Sequence, residues 1–437
     1  MRNLKRALSL ALATIMTMGL MVVGTGASYQ DVKATDNVEA IEVLQAVGIM
    51  TGDENGKFNP DANVTRNEIA VVMSNLLNLD YDYYRGTNPF VDVPDWAAPY
   101  VAACAAEGVV AGIGNNMYGG SNNVTAAQAA LMIMKALGYF QYQADFDTDW
   151  QIATIRQASY INLFDNINAN AETALTRNQI AQLVLNGLKA NMVTFTGTVG
   201  TEIKLPDGTT WNSGYKAEYT AITNANKKYD SIDVGTTNIA NDDRYYVQLG
   251  EELYNGKLTE KADTDAFDRP ATTWRYDYNV IGTYVNDPDL TYTAEVEAGE
   301  IYADLGLSKS KTTDGYYVDG KEQGDITLAK NNDDDTFGAN GVLTQVWYDE
   351  DEDSSTLIIT EINTYVGKVN SIVKDNSDDR YVTLNALTNP GALNNKFETE
   401  KFATQDLITF TAAWNENTSR YDIQTVDALE LTTTGVL

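Results

Sequence analysis

Three stretches of the chain repeat one order of polar and apolar positions. Asn63-Val64-Thr65-Arg66-Asn67-Glu68-Ile69-Ala70, Asn123-Val124-Thr125-Ala126-Ala127-Gln128-Ala129-Ala130 and Ala174-Leu175-Thr176-Arg177-Asn178-Gln179-Ile180-Ala181 each place Thr, two variable residues, then Glu or Gln. Each continues into a largely apolar run: Val71 to Leu77, Leu131 to Leu137 and Gln182 to Leu188. This order predicts a capping box at the start of a helix: the Thr hydroxyl accepts from the amide of the third helical residue, whose side chain returns to the Thr amide. The three Thr lie 60 and 51 residues apart, so the boxes form an internal repeat.

A longer helical pattern precedes each box. Trp96 to Gly108 and Trp150 to Asn162 each span 12 residues, and the first copy has Val38 to Val47 before Gly48. Gly48, Gly108 and Asn162 are residue types that accept the left-handed backbone closing a helix. Each copy therefore predicts helix, loop, helix, with Asp31, Asp92 and Asp147 ahead of the first helix.

After Met192 the texture changes to Thr, Tyr, Val, Asn, Asp and Gly with turns such as Pro206-Asp207-Gly208, which predicts strands. Val342 to Tyr348 and Thr356 to Ile362 form a hairpin pattern around the acidic tip Asp349 to Asp353. Further strands are expected at Tyr365 to Val373, Arg380 to Leu387, Leu407 to Ala412 and Tyr421 to Val426. The expected fold class is multidomain, an all-α set of helix-loop-helix repeats followed by all-β domains. Its divisions are 1–27, 29–85, 86–143, 144–192, 193–362 and 363–437, the last read as incomplete because Leu431 to Leu437 resembles a strand about to start.

The first division is a secretory signal. Arg2, Lys5 and Arg6 precede an uncharged stretch from Ala7 to Val23 and the small residues Gly24 to Ser28, with cleavage favoured after Ala27. No later stretch is apolar enough for a membrane span. The 30 basic and 61 acidic residues give a net charge of −31, and loss of three basic residues with the signal takes it to −34. Such a surface repels nucleic acid and anionic lipid. The chain has no histidine and one cysteine, Cys104, which excludes Ser-His-Asp and Cys-His nucleophiles, His-ligated metals, Cys-cluster zinc sites and intramolecular disulfides. Cys104 lies in the apolar run Tyr100 to Ala106 and reads as a buried structural residue.

The pieces Tyr29-Gln30-Asp31-Val32, Phe90-Val91-Asp92-Val93-Pro94-Asp95-Trp96, Gly48-Ile49-Met50-Thr51-Gly52, Gly56-Lys57-Phe58-Asn59-Pro60 and Thr65 to Ala70 resemble the surface-layer homology (SLH) repeat of bacterial envelope proteins. The resemblance covers residues 29 to 190 in three tandem copies. It implies a pseudo-trimeric helical module whose grooves bind secondary cell-wall polysaccharide, often pyruvylated, without a covalent bond. The residues add chemistry of their own. Arg66 and Arg177 fall at the first helical position, where backbone amides favour an anion and a guanidinium adds paired donors for a carboxylate. Trp96 and Trp150 offer faces for a sugar ring. Asp31, Asp92, Asp147, Gly48 and Gly108 complete the expected wall-polymer site. The second copy departs, with Ala126 in place of Arg, and the third has Asn162 and Asn166 where the family has glycines.

The expected function is non-enzymatic anchoring of a surface-layer protein to the wall, with self-association in a lattice as a further expectation. An SLH-anchored glycoside hydrolase and an adhesin are the alternatives. A hydrolase needs a cleft with two convergent carboxylates, one of them raised in pKa. No catalytic residue, cofactor or metal ligand is assigned. The clusters Asp333 to Asp335 and Asp349 to Asp353 are weighed as structural calcium ligands, but they lack a fixed ligand spacing and read as solvated turns. Asp53-Glu54-Asn55-Gly56-Lys57 is no EF-hand, because Val64 stands where the closing Glu belongs.

Overall fold

The computed structural model describes residues 23–24, 29–146, 149–200, 202–204, 209–212, 216–224, 244–254, 256–350, 355–374, 379–388 and 390–429. The expected signal segment, apart from Val23 and Gly24, lies outside the described residues. So do Asp147, the turn positions Pro206 to Gly208, the tip residues 351–353 and the end from Leu431 to Leu437. Helices fill the N-terminal part and strands dominate the remainder. The chain divides into two compact units, one of Gly24–Lys261 with Thr273–Gly282 and one built on Ala262–Thr272 and Thr283–Leu437.

The first unit holds three helix pairs: α1 (Val38–Ala46) and α2 (Arg66–Leu76), α3 (Ala98–Ala106) and α4 (Ala126–Ala136), α5 (Trp150–Tyr160) and α6 (Arg177–Lys189). Full capping boxes open α2, α4 and α6, on Thr65, Thr125 and Thr176. The first helix of each pair closes on a left-handed residue: Gly48 (φ 76°), Gly108 (φ 70°) and Asn162 (φ 56°). The following amides then reach back, Ile49 N–H to Leu44 O at 2.9 Å, Val109 N–H to Cys104 O at 2.9 Å and Leu163 N–H to Ala158 O at 2.9 Å.

The residue before each capping Thr builds the centre of this arrangement. Val64 N–H donates to Leu175 O (3.0 Å), Leu175 N–H to Val124 O (3.1 Å) and Val124 N–H to Val64 O (2.8 Å), a closed ring of three backbone bonds. All three side chains are buried, so the ring is dry and each amide needs its partner. A pseudo-threefold arrangement follows from this cyclic exchange. Trp274, fully buried, donates its indole N–H to Glu39 Oε1 at 2.6 Å and lies under the ammonium of Lys189.

The second unit carries two larger sheets. In the first, β1 (Leu290–Tyr292), β4 (Val342–Glu350), β5 (Ser355–Asn363), β2 (Gly315–Val318) and β3 (Lys321–Glu322) lie side by side in that order. The predicted hairpin is β4–β5, in register from Val342 opposite Asn363 to Glu350 opposite Ser355, and β2 runs parallel to β5. Its core gathers Val346, Leu357, Ile359, Phe337 and Leu328. The second sheet has β6 (Tyr365–Lys374), β7 (Arg380–Ala386), β10 (Leu407–Asn415) and β11 (Arg420–Ala428), with β8 (Leu393–Asn394) and β9 (Lys396–Glu398) at its edges. Val369, Val382, Leu384, Ile408 and Phe410 form its core.

The strand-rich part is not purely β. Leu249–Tyr254 and Ala298–Asp304 are short helices. The second is held because Ala298 and Ile301, three residues apart on one face, enter the core of the first sheet.

Candidate functional site

The loops joining each helix pair meet the helix starts of the preceding copy. Arg66 N–H and Asn67 N–H donate to Asn122 O and Gly120 O, both at 2.9 Å. Arg177 N–H and Asn178 N–H donate to Ala62 O and Pro60 O, at 2.9 and 3.0 Å, and Ala126 N–H and Ala127 N–H to Thr173 O and Ala171 O, at 2.9 and 3.0 Å. The third helical amide goes to the capping Thr. The amides expected to face an anion are therefore taken by carbonyls of the neighbouring copy. A helix start buried between copies must satisfy its orphan donors inside the protein.

The two arginines repeat one geometry. Arg66 donates from Nε to Tyr118 O (3.0 Å) and from Nη2 to Ala111 O (2.9 Å), with its guanidinium 4.6 Å from the Tyr118 ring centre. Arg177 donates from Nε to Phe58 O (2.7 Å) and from Nη2 to Thr51 O (2.8 Å), 4.7 Å from the Phe58 ring. Two of the five N–H donors of each guanidinium are thus spent on backbone. Neither arginine forms an ion pair with a carboxylate among the described residues. At Arg177 burial works against the charge and lowers its pKa, while Glu68, Asp53 and Asp31 oppose that.

Asp31 and Asp92 hold the loops on which the arginines rest. Asp31 accepts from Phe58 N–H (2.9 Å) and Asn59 N–H (2.7 Å), and Asp92 from Tyr118 N–H and Gly119 N–H, both at 2.7 Å. The Tyr118 amide is the main cause of a lowered pKa at Asp92. Partial burial raises that of Asp31, but the amides of Phe58 and Asn59 outweigh it and the net shift is downward. Tyr29 packs on Phe58 and Phe90 on Tyr118, each pair with ring centres 5.5 Å apart. The fit leaves no room at Gly112, where a Cβ would sit 2.6 Å from Phe90 Cε1 and 2.8 Å from Met117 O.

Trp96 precedes its helix instead of opening it and is 56% exposed. Trp150 is half-buried and does open α5, where Asp149 is the N-cap, accepting from Gln151 N–H at 2.9 Å. Gly48 and Gly108 close the first helices of their copies in the left-handed conformation. Ala126 is fully buried, so the contact between the second helix pair and the third loop is packed shut. Sequence reasoning missed Phe58 and Tyr118 as the beds of the arginines; their shared place one residue after Lys57 and Met117, 60 residues apart, was the available signal.

The second unit has a cavity of about 550 Å³ lined by Asp265, Asp268, Tyr317, Glu322, Trp414, Glu416 and Asp422. Three of its carboxylates are engaged by the scaffold: Asp265 with Arg269, Glu416 with the Trp414 indole, and Asp422 with Asn394 and Asn415. Burial, then Asp265, Glu322 and Glu416, push the Asp268 carboxyl up. Among the described residues, no group of three or more acidic or Cys side chains is placed to hold a metal ion. No helix among them is long and apolar enough to cross a membrane.

The family model for the S-layer homology domain matches residues 28–70 and 89–130, the first two copies. The chain is similar to the "Middle cell wall protein" of Brevibacillus brevis, 30% identical over 162 residues, which cover 36% of this chain and 15% of that protein. It is 26% identical over 252 residues to the "Cell surface protein" of Thermoanaerobacter kivui, covering 56% and 32%. An "Endoglucanase" of a Bacillus species is 29% identical over 154 residues, covering 32% and 16%. The chain thus spans between 15% and 32% of the length of these curated relatives. Residues 28–70 and 89–130 are thus two S-layer homology repeats, and over this part the chain is similar to cell-wall and cell-surface proteins.

Proposed function

We propose that the three helix pairs are three SLH repeats forming one anchor, which binds secondary cell-wall polysaccharide in the clefts between copies. The protein is secreted, sits in the bacterial wall or surface layer, and displays its strand-rich part there as a binding or structural element without catalysis. The observation that carries this reading is the Arg177 guanidinium, held at the cleft between the first and third copies by Phe58 O and Thr51 O and paired with no carboxylate among the described residues. A polymer bearing carboxylates, such as a pyruvylated saccharide, supplies the missing charge. Mature protein should co-sediment with purified sacculi and fail to do so once the wall polysaccharide is stripped; equal sedimentation with both would overturn the reading.

The cavity beside Asp268 favours a second reading, an anchored glycoside hydrolase, because a half-buried carboxyl of raised pKa in one cavity with Trp414 suits a general acid. Release of reducing ends from wall or plant glycans, abolished by Asp268→Asn, would support it; no release would leave the anchor alone.

A further inference from the structure

We infer that the two arginine clefts have separate roles: Arg177, with Lys57 on its lip, takes the carboxylate of an anionic saccharide, whereas Arg66 is a buried pin that fixes the second loop. This rests on the anchoring reading above. From Gly48 and Gly108 to the capping Thr the first two copies align residue for residue at an offset of 60, so their loops compare directly. Arg66 is 6% exposed, while Arg177 is only half-buried and its bond to Thr51 is open to solvent. A ligand can reach the second group and not the first.

The lip residues explain the difference. In the first loop Asn59, left-handed at φ 58°, donates from Nδ2 to Asp53 Oδ2 at 3.0 Å, and Lys57 stands exposed beside Phe58. Gly119 replaces Asn59 in the second loop, and Ile113 replaces Asp53, with its Cδ1 3.0 Å from where a Cβ on Gly119 would be. The Ile113 side chain thus lies over Gly119 above the Arg66 bed. Met117 replaces Lys57, removing the second cation. Val91, Ile113 and Met117, exposed by 74, 58 and 39%, make that lip apolar apart from the Asn122 amide, whose Nδ2 lies 3.1 Å from the same Gly119 Cβ position. The lip of Arg177 has hydrogen-bonding groups and two positive charges. Asp31 and Asp53 stand near them, but both carboxylates accept two or more bonds within their own loop.

The test uses the full mature chain and sedimentation with purified sacculi, with thermal melting of every variant. Arg177→Gln should weaken binding roughly tenfold to a hundredfold, the loss of one charge-assisted bond, while staying folded and lowering the melting temperature less than Arg66→Gln does. Lys57→Gln should weaken it less. Arg66→Gln should lower the melting temperature and bind within about twofold of the parent where folded. The lip exchange Asp53→Ile, Lys57→Met, Asn59→Gly tests the same idea without touching either arginine, and should bind as poorly as Arg177→Gln. A parent that sediments while Arg177→Gln and the lip exchange bind equally well overturns this assignment alone. So does folded Arg66→Gln losing binding as Arg177→Gln does. A parent that never sediments overturns the anchoring reading and this assignment with it.

Discussion

The three capping boxes share a motif but not a strength, which makes their removal a graded test. At Thr65 the hydroxyl accepts from Glu68 N–H at 3.3 Å and donates to Glu68 Oε2 at 2.8 Å, while the same oxygen takes the Thr65 amide at 2.7 Å. At Thr176 the two box distances are 3.3 and 3.0 Å, and at Thr125 they stretch to 3.4 and 3.3 Å, with a neutral Gln in both. Replacement of an N-cap Thr by Ala costs about 0.5–2 kcal/mol, and bonds to a charged group are roughly twice as strong as neutral ones. Thr65→Ala should therefore cost about 2 kcal/mol, Thr176→Ala about 1 and Thr125→Ala about 0.5. In a unit of this size about 2 kcal/mol corresponds to a fall of roughly 4–8 °C in melting temperature. Urea unfolding of the full mature chain, followed by helical circular dichroism, measures all three. Thr125→Ala destabilising as much as Thr65→Ala, or no shift in any variant, would refute the geometry.

Gly112→Ala should destabilise by about 1–3 kcal/mol through its clash with Phe90 and the Met117 carbonyl, and Phe90→Ala in the same chain should recover less than full stability; urea midpoints decide. Gly48→Ala meets no atom within 4 Å, so its cost of about 1–2 kcal/mol comes from the left-handed backbone alone and should not respond to changes in nearby side chains. Asp31 and Asp92 have folded pKa values below the ordinary 3.8, so the stability they add is present above that value and is lost as pH falls through the lower folded one. Asp31→Asn with Asp92→Asn should flatten the acid limb of a stability profile as pH falls below the ordinary 3.8. Burial pushes the Cys104 thiol up to about 12, so iodoacetamide at mildly alkaline pH should label it only after unfolding, as mass spectrometry would show.

Local signals account for what could be read from the chain in advance. A capping box and a left-handed closing residue each act within a few residues, so Thr65, Thr125, Thr176, Gly48, Gly108 and Asn162 marked the helix ends correctly. The β4–β5 hairpin was visible for the same reason, since its partners adjoin a single turn. The parallel pairing of β2 with β5 has no such signal, because its register joins Gly315 to Ile358 across four intervening strands. The helix Ala298–Asp304 is short and acidic at its start, and only its burial against Val346 and Leu357 makes it a helix.

The site was legible in its residue types and not in their partners. Arg66 and Arg177 stand at the first helical position as read, yet that position lies against another copy, so amides and two donors of each guanidinium meet carbonyls first. Cyclic closure causes this, and a linear pattern shows cyclic closure only as equal spacing. The loop of the third copy is shorter by three residues and has no aromatic residue at the place of Phe58 or Tyr118. Ala126 faces that loop at 0% exposure, beside Ala127 at 0%. A guanidinium needs both the carbonyl pair and the ring beneath it, so the absence of Arg at position 126 and the short third loop are two sides of one packing solution rather than separate departures.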